Sequence, residues 1–140
     1  MPNGECSWLS VEYSEVSEAN KKSNHEDLEV WQLGIRIVKA VYLLTDSFPE
    51  KEKYRLTDQM CRAAISIPSN IAEGGARKST KEFMRFLTIA IGSLAEIRTQ
   101  YHISKELGYS SNFHHEEFAE LLALVGKKLH ALYHSLEKKR

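Results

Sequence analysis

SIPSNIAEGGARKSTKEFMRFLTIAIGSLAEIRTQ, residues 66 to 100, decides how this chain folds. It sets Pro68 inside an otherwise helical run, closes that run with Gly74-Gly75, and restarts a long periodic segment behind Ser79-Thr80-Lys81-Glu82. Proline has no N–H to donate, and its ring crowds the carbonyl four residues back, here at Ala64, at a cost of about 3 kcal/mol in a regular helix. A kink or a fresh start is therefore expected at Pro68, with Ser66, Ser69 or Asn70 bonding the freed backbone groups. Gly74 is the expected left-handed C-cap, and Ser79 with Glu82 has the spacing of a capping box. So short a connection makes the second and third helices antiparallel neighbours.

Upstream, the periodicity predicts a first helix over Glu26 to Thr45 with two apolar stripes. Leu28, Trp31, Ile35, Val38 and Tyr42 form one. Val30, Leu33, Ile37, Val41 and Leu44 form the other, centred roughly 140° away. One stripe suits a bundle core, and Val30, Leu33, Ile37, Val41 and Leu44 are assigned to a neighbouring subunit. The alternative is that the first helix is the most buried helix of a monomer. A capping box at Ser47 and Glu50 opens the second helix, whose inner face is Leu56, Met60, Ala63, Ile67 and Ile71.

Downstream, the third helix runs to Leu107 with Phe83, Leu87, Ala90, Leu94, Ile97 and Tyr101 inward, and Gly108 ends it. Ser110, Ser111 and Asn112 are candidate N-caps for a fourth helix carrying Phe118, Leu121, Leu122, Val125, Leu129, Leu132 and Leu136 on one stripe. Four helices with short turns read as an all-α, up-down-up-down four-helix bundle over residues 25–140, whose second apolar stripe calls for a neighbouring subunit and hence a homo-oligomer; the ring shape is what the family resemblance given below implies. Residues 1–24, rich in Ser, Glu, Asn and Lys, read as a flexible extension in which Trp8, Leu9, Val11 and Tyr13 could form a short docking segment.

At 140 residues the chain is long enough for one core. Lys plus Arg (19) equal Asp plus Glu (19), so no global field draws it to phosphate or to an anionic membrane. The local exception is Arg77, Lys78, Lys81 and Arg85, a candidate nucleic-acid surface, beside Glu73 and Glu82. Arg77, Lys81 and Arg85 follow at four-residue steps and share a face if the helix reaches that far. A solvated charged face is the plainer reading. Repeated around a ring, the same residues become a basic rim.

Other chemistry finds no support. No glutamate has histidine three positions later, which argues against a di-metal carboxylate site. His130 and His134 have i, i+4 spacing but point away from the apolar stripe. His114-His115-Glu116-Glu117 reads as a polar first turn. Glu73, Glu96 and Asn70 are expected near packed surfaces, fixing helix register by hydrogen bonds. Cys6 and Cys61 read as free thiols in a reducing cytosol. No catalytic set, metal or cofactor is predicted. The acidic N-terminus and the lack of a ~20-residue apolar run predict neither signal peptide nor membrane span, hence a cytoplasmic protein.

Three blocks carry a family likeness: Asp27-Leu28-Glu29-Val30-Trp31, Ser66-Ile67-Pro68-Ser69-Asn70-Ile71-Ala72-Glu73-Gly74, and Gly92-Ser93-Leu94-Ala95-Glu96 with Thr99-Gln100. In that order they resemble the 23S rRNA intervening-sequence proteins, small bacterial four-helix bundles related to the accessory proteins of diversity-generating retroelements. The resemblance covers residues 25 to 108, makes Pro68, Asn70, Glu73 and Gly74 a structural motif, and implies a homopentameric barrel. For the retroelement relatives it implies a basic surface engaging nucleic acid and a reverse transcriptase, from which this chain departs in its neutrality and its acidic head. The expected function is a non-enzymatic, ring-forming protein whose partner is RNA or a ribonucleoprotein. The alternative is a protein-interaction scaffold or accessory subunit without nucleic-acid contact.

Overall fold

The computed structural model describes residues 28–139. The expected extension over residues 1–24, its docking segment and Cys6 lie outside the described residues. Four helices follow: α1 (Glu29–Asp46), α2 (Leu56–Ala76), α3 (Thr80–Glu106) and α4 (His115–Glu137), with a 3-10 turn at Glu50–Glu52. Each packs antiparallel to the next. Thr45 meets Cys61 across α1–α2, Ser66 meets Ser93 across α2–α3, Arg98 meets Leu122 across α3–α4, and Glu29 meets Lys128 across α4–α1. The contacts close a four-helix bundle, with α2–α3 its most extensive seam.

The inner faces expected for α2, α3 and α4 form the core: Met60, Ala63, Ile67, Ile71, Leu87, Ala90, Leu94, Ile97, Tyr101, Phe118, Val125 and Leu129 are buried. For α1 the two stripes are exchanged. Val30, Leu33, Ile37, Val41 and Leu44, assigned from sequence to a neighbouring subunit, are buried inside the single chain. The outward stripe is the other one, with Leu28, Trp31 and Val38 half-buried against the core and Tyr42 46% exposed. Gly34 explains the exchange. A Cβ there would lie 3.3 Å from Ile67 Cγ2 and 3.4 Å from Pro68 Cβ and Cδ, so a glycine beside Leu33 and Ile37 lets α1 and α2 approach at the proline.

Pro68 is buried within α2, which continues helical through it to Ala76. No fresh start occurs there. Asn70, one of the residues expected to bond the backbone here, does so, but at a carbonyl two residues beyond that of Ala64: its Nδ2 donates to the Ser66 carbonyl (2.7 Å) and to Ser66 Oγ (2.9 Å). Ser66 Oγ also bonds Ser93 Oγ at 2.8 Å, tying the turn of α2 before Pro68 to α3. Gly74 is not a left-handed cap, since it lies inside α2 and Gly108 is the positive-φ glycine among the described residues (φ 76°). What requires glycine at 74 is space: a Cβ would lie 2.7 Å from Phe86 Cβ and 2.9 Å from Phe83 Cδ1. The small-residue requirement is a packing requirement.

Two expected caps also move. Ser47 Oγ donates to the Leu44 carbonyl at the end of α1 instead of opening α2, which starts six residues after Glu50. The α4 N-cap is His114, and Ser110, at φ 58°, turns its hydroxyl to the Leu44 carbonyl (3.1 Å). Tyr109 donates to Glu52 Oε2 at 2.8 Å, with its ring against Phe48 (centroids 5.3 Å). These contacts lock the α1 and α3 exits together, leaving the opposite end of the bundle to the α2–α3 turn.

Candidate nucleic-acid interface

Ser79 Oγ accepts from the Glu82 N–H at 3.2 Å, so the predicted cap of α3 forms. Arg77 leaves α2 in an extended conformation (φ −76°, ψ 150°) and lies outside both helices. It therefore does not continue the helical face of Lys81 and Arg85. The fold reunites it with Arg85 by another route, because both guanidinium groups sit over the Phe86 ring, at 5.1 and 4.7 Å from its centroid. Arg77 pairs with Glu73 (3.1 Å) and Arg85 with Glu82 (3.5 Å). Such exposed pairs contribute at most about 1 kcal/mol each, so a phosphate can replace the carboxylate at little cost. Lys78 and Lys81 are exposed. Glu73 and Glu96, expected near packed surfaces, are exposed as well.

A second basic feature lies in the seam between α3 and α4. A depression of about 510 Å³ is lined by Ile91, Leu94, Ala95 and Arg98 from α3 and by Gly126, Lys127 and His130 from α4. Arg98 Nη2 donates to the Leu122 carbonyl at 3.1 Å, which fixes the guanidinium across the seam without a carboxylate. Gly126 admits it, since a Cβ there would lie 3.0 Å from Arg98 Nη2. A smaller depression of about 290 Å³, along the same two helices, is lined by Lys81, Glu82, Met84, Arg85, Thr88 and Tyr133. Sequence reading found Lys81 and Arg85 but missed Arg98, Lys127 and Tyr133, which are isolated along the chain and meet only through the antiparallel register of α3 and α4.

His130 and His134 are exposed with ring centroids 6.5 Å apart, and His134 pairs with Glu137 (3.3 Å). Among the described residues no three His, Cys, Asp or Glu side chains form a metal-sized group. His115 is more than a polar first-turn residue. Its Nε2 faces the Ser110 carbonyl at 2.9 Å and so carries the proton, leaving Nδ1 to accept from the Tyr101 hydroxyl. Burial pushes the Tyr101 phenol up. The hydrogen bond to Glu52 pushes Tyr109 up, and burial pushes the Cys61 thiol up against the opposing hydrogen bond from Thr45. Cys61 is thus a protonated thiol near neutral pH, not an activated nucleophile.

Residues 26–131 match the family described as 23S rRNA-intervening sequence protein, a span that takes in all of α1, α2 and α3 and most of α4. The chain belongs to that family. The likeness carried by the three sequence blocks is thereby shown, and the family match includes Arg98, Lys127 and His130 while Tyr133 lies just beyond it. No curated protein matches the chain. No helix among the described residues is long and apolar enough to cross a membrane.

Proposed function

We propose that this member of the 23S rRNA-intervening sequence protein family is a non-enzymatic, RNA-associated protein that works in the cytoplasm as a homo-oligomeric ring, a pentamer. The observation that carries the reading is the exposed cationic end formed by Arg77, Lys78, Lys81 and Arg85 in a chain whose family is named for rRNA. Net charge is zero, so one subunit attracts phosphate weakly. Ring symmetry supplies what net charge does not, because copies of the cluster meet several phosphates together. Support for assembly comes from the outward apolar residues, among them Tyr42 and Leu43 on α1, Ile65 on α2 and Ile89 on α3.

Two measurements test this reading. Light scattering at micromolar concentration is expected to give several times the 16.0 kDa chain mass; a monomer removes the ring. RNA binding is expected to weaken steeply between about 50 and 200 mM salt, through counterion release. Absence of RNA binding at low salt favours a protein-interaction scaffold, the reading that the neutral charge balance supports.

A further inference from the structure

The two depressions between α3 and α4 follow one seam. Lys81, Arg85 and Thr88 line the first and Ile91, Leu94, Ala95 and Arg98 the second, in order along α3, while Tyr133 and then His130, Lys127 and Gly126 follow in reverse along α4. Four Lys or Arg side chains line this groove (Lys81, Arg85, Arg98, Lys127) against one carboxylate, Glu82, already held by Arg85. A protein with no net charge has therefore gathered a local excess of positive charge along one seam. Its neighbour Lys128 turns away to Glu29. Apolar and cationic side chains line it together, and Tyr133, half-buried against the core, lines the smaller depression.

Resting on the reading that this protein binds RNA, we propose that the α3–α4 groove is the binding track and that its ligand is single-stranded RNA. Lys81 and Arg98 are about 25 Å apart along α3 at roughly 1.5 Å per residue. That length holds about seven nucleotides of a stacked strand at roughly 3.4 Å each, and fewer of an extended one. Cations at both ends meet phosphates, and Tyr133 with the apolar floor takes bases, the combination by which sequence-tolerant single-strand sites work. A duplex keeps its bases inside and has none to give Tyr133 or the floor formed by Ile91, Leu94 and Ala95. The Arg77–Lys78 end then extends the track and does not constitute it.

The test is fluorescence anisotropy of the full chain with labelled oligouridylates of two and eight nucleotides and an eight-base-pair RNA duplex, at several salt concentrations. The octamer is expected to bind at least about ten-fold tighter than the dimer or the duplex. In Arg98→Gln/Lys127→Gln, octamer affinity falls at least about ten-fold, and the slope of log K against log salt shrinks by about 1.4, two phosphate contacts at roughly 0.7 each. Tyr133→Ala costs about ten-fold through lost stacking. The charge-matched control Lys51→Gln/Lys53→Gln, at the 3-10 turn and its edge, leaves binding unchanged. If loss of the Arg98 bond to Leu122 unfolds the double variant, Lys127→Gln alone carries the test with a slope change of about 0.7. Octamer binding unchanged in the groove variants but lost in Arg77→Gln/Lys78→Gln overturns the groove while leaving RNA binding in place. Equal binding of duplex and octamer overturns the single-strand track. No binding of any RNA by the parent removes the groove and the RNA reading together.

Discussion

The α2–α3 and α3–α4 seams share a helix and an antiparallel arrangement, yet they are built to opposite ends. At α2–α3 a glycine closes the gap: Gly74 sits under Phe86 and Phe83, and an Asn70–Ser66–Ser93 network ties the helices beside Pro68. At α3–α4 a glycine opens a gap, because Gly126 makes room for the Arg98 guanidinium above a depression of about 510 Å³. The same residue type is thus used once for contact between backbones and once to seat a charged side chain. A seam packed tightly at its glycine holds the fold; a seam with volume and charge has something to offer a ligand.

The glycines give the largest expected contrast. Gly74→Ala places a Cβ 2.7 Å from a Cβ that cannot retreat, and overpacking of this kind costs about 1–3 kcal/mol, several degrees of Tm by thermal circular dichroism. Gly74→Val goes further, and is more damaging than Pro68→Ala. If Gly74→Ala melts like the parent, the tight-seam description is wrong. Asn70→Ala removes two side-chain hydrogen bonds beside the proline, and a loss of about 1–2 kcal/mol in chemical denaturation is expected. Gly126→Ala meets side-chain ends and no backbone, Arg98 Nη2 at 3.0 Å and Leu94 Cδ2 at 3.3 Å, which need shift by only a few tenths of an ångström, while alanine is about 1 kcal/mol better than glycine inside a helix. That variant is expected to melt at or slightly above the parent temperature while weakening RNA binding by displacing Arg98, a separation of stability from binding that Gly74→Ala does not show.

Much of this was legible in the sequence, for reasons that also mark where legibility stops. The inner faces of α2, α3 and α4 are single apolar stripes, so periodicity alone locates the core, and the Ser79–Glu82 cap is a local spacing. On α1 both faces are apolar, and hydrophobicity cannot choose between them. The usable signal was Gly34, a small residue beside Leu33 and Ile37 that marks the close approach to Pro68. Gly74 was misjudged because a glycine near a helix end reads as a cap, whereas its requirement comes from Phe86 on another helix. The groove was invisible for the same reason. Arg98, Lys127 and Tyr133 become neighbours only once α3 and α4 have a register, and no local pattern states it.

The smallest expected effect is a pH dependence spread over three groups, of which Tyr101, bonded to His115, lies in the α3–α4 seam. Cys61, Tyr101 and Tyr109 have pKa values raised from 9.0, 10.0 and 10.0, so the folded chain holds these protons more tightly than the unfolded chain does. Their contribution is fully present below about pH 9 and is lost as pH rises through the folded values. Urea midpoints are expected to be flat from pH 7 to about 9 and to fall above that, with Tyr109→Phe removing part of the decline. A midpoint that rises with alkaline pH contradicts the sign.

Hydrogen exchange of the full chain, with and without an oligouridylate of eight nucleotides at low salt, compares the two seams in one experiment. Amides of an interior helix exchange only on opening, so bound RNA slows those whose opening breaks the site. The expected result is added protection along α3 from Lys81 to Arg98 and along α4 from Gly126 to Tyr133, with the Met60–Ile71 stretch of α2 and the whole of α1 unchanged. Protection confined to α1 or α2, with α3 and α4 exchanging as in the free protein, contradicts the assignment of the open seam as the binding surface.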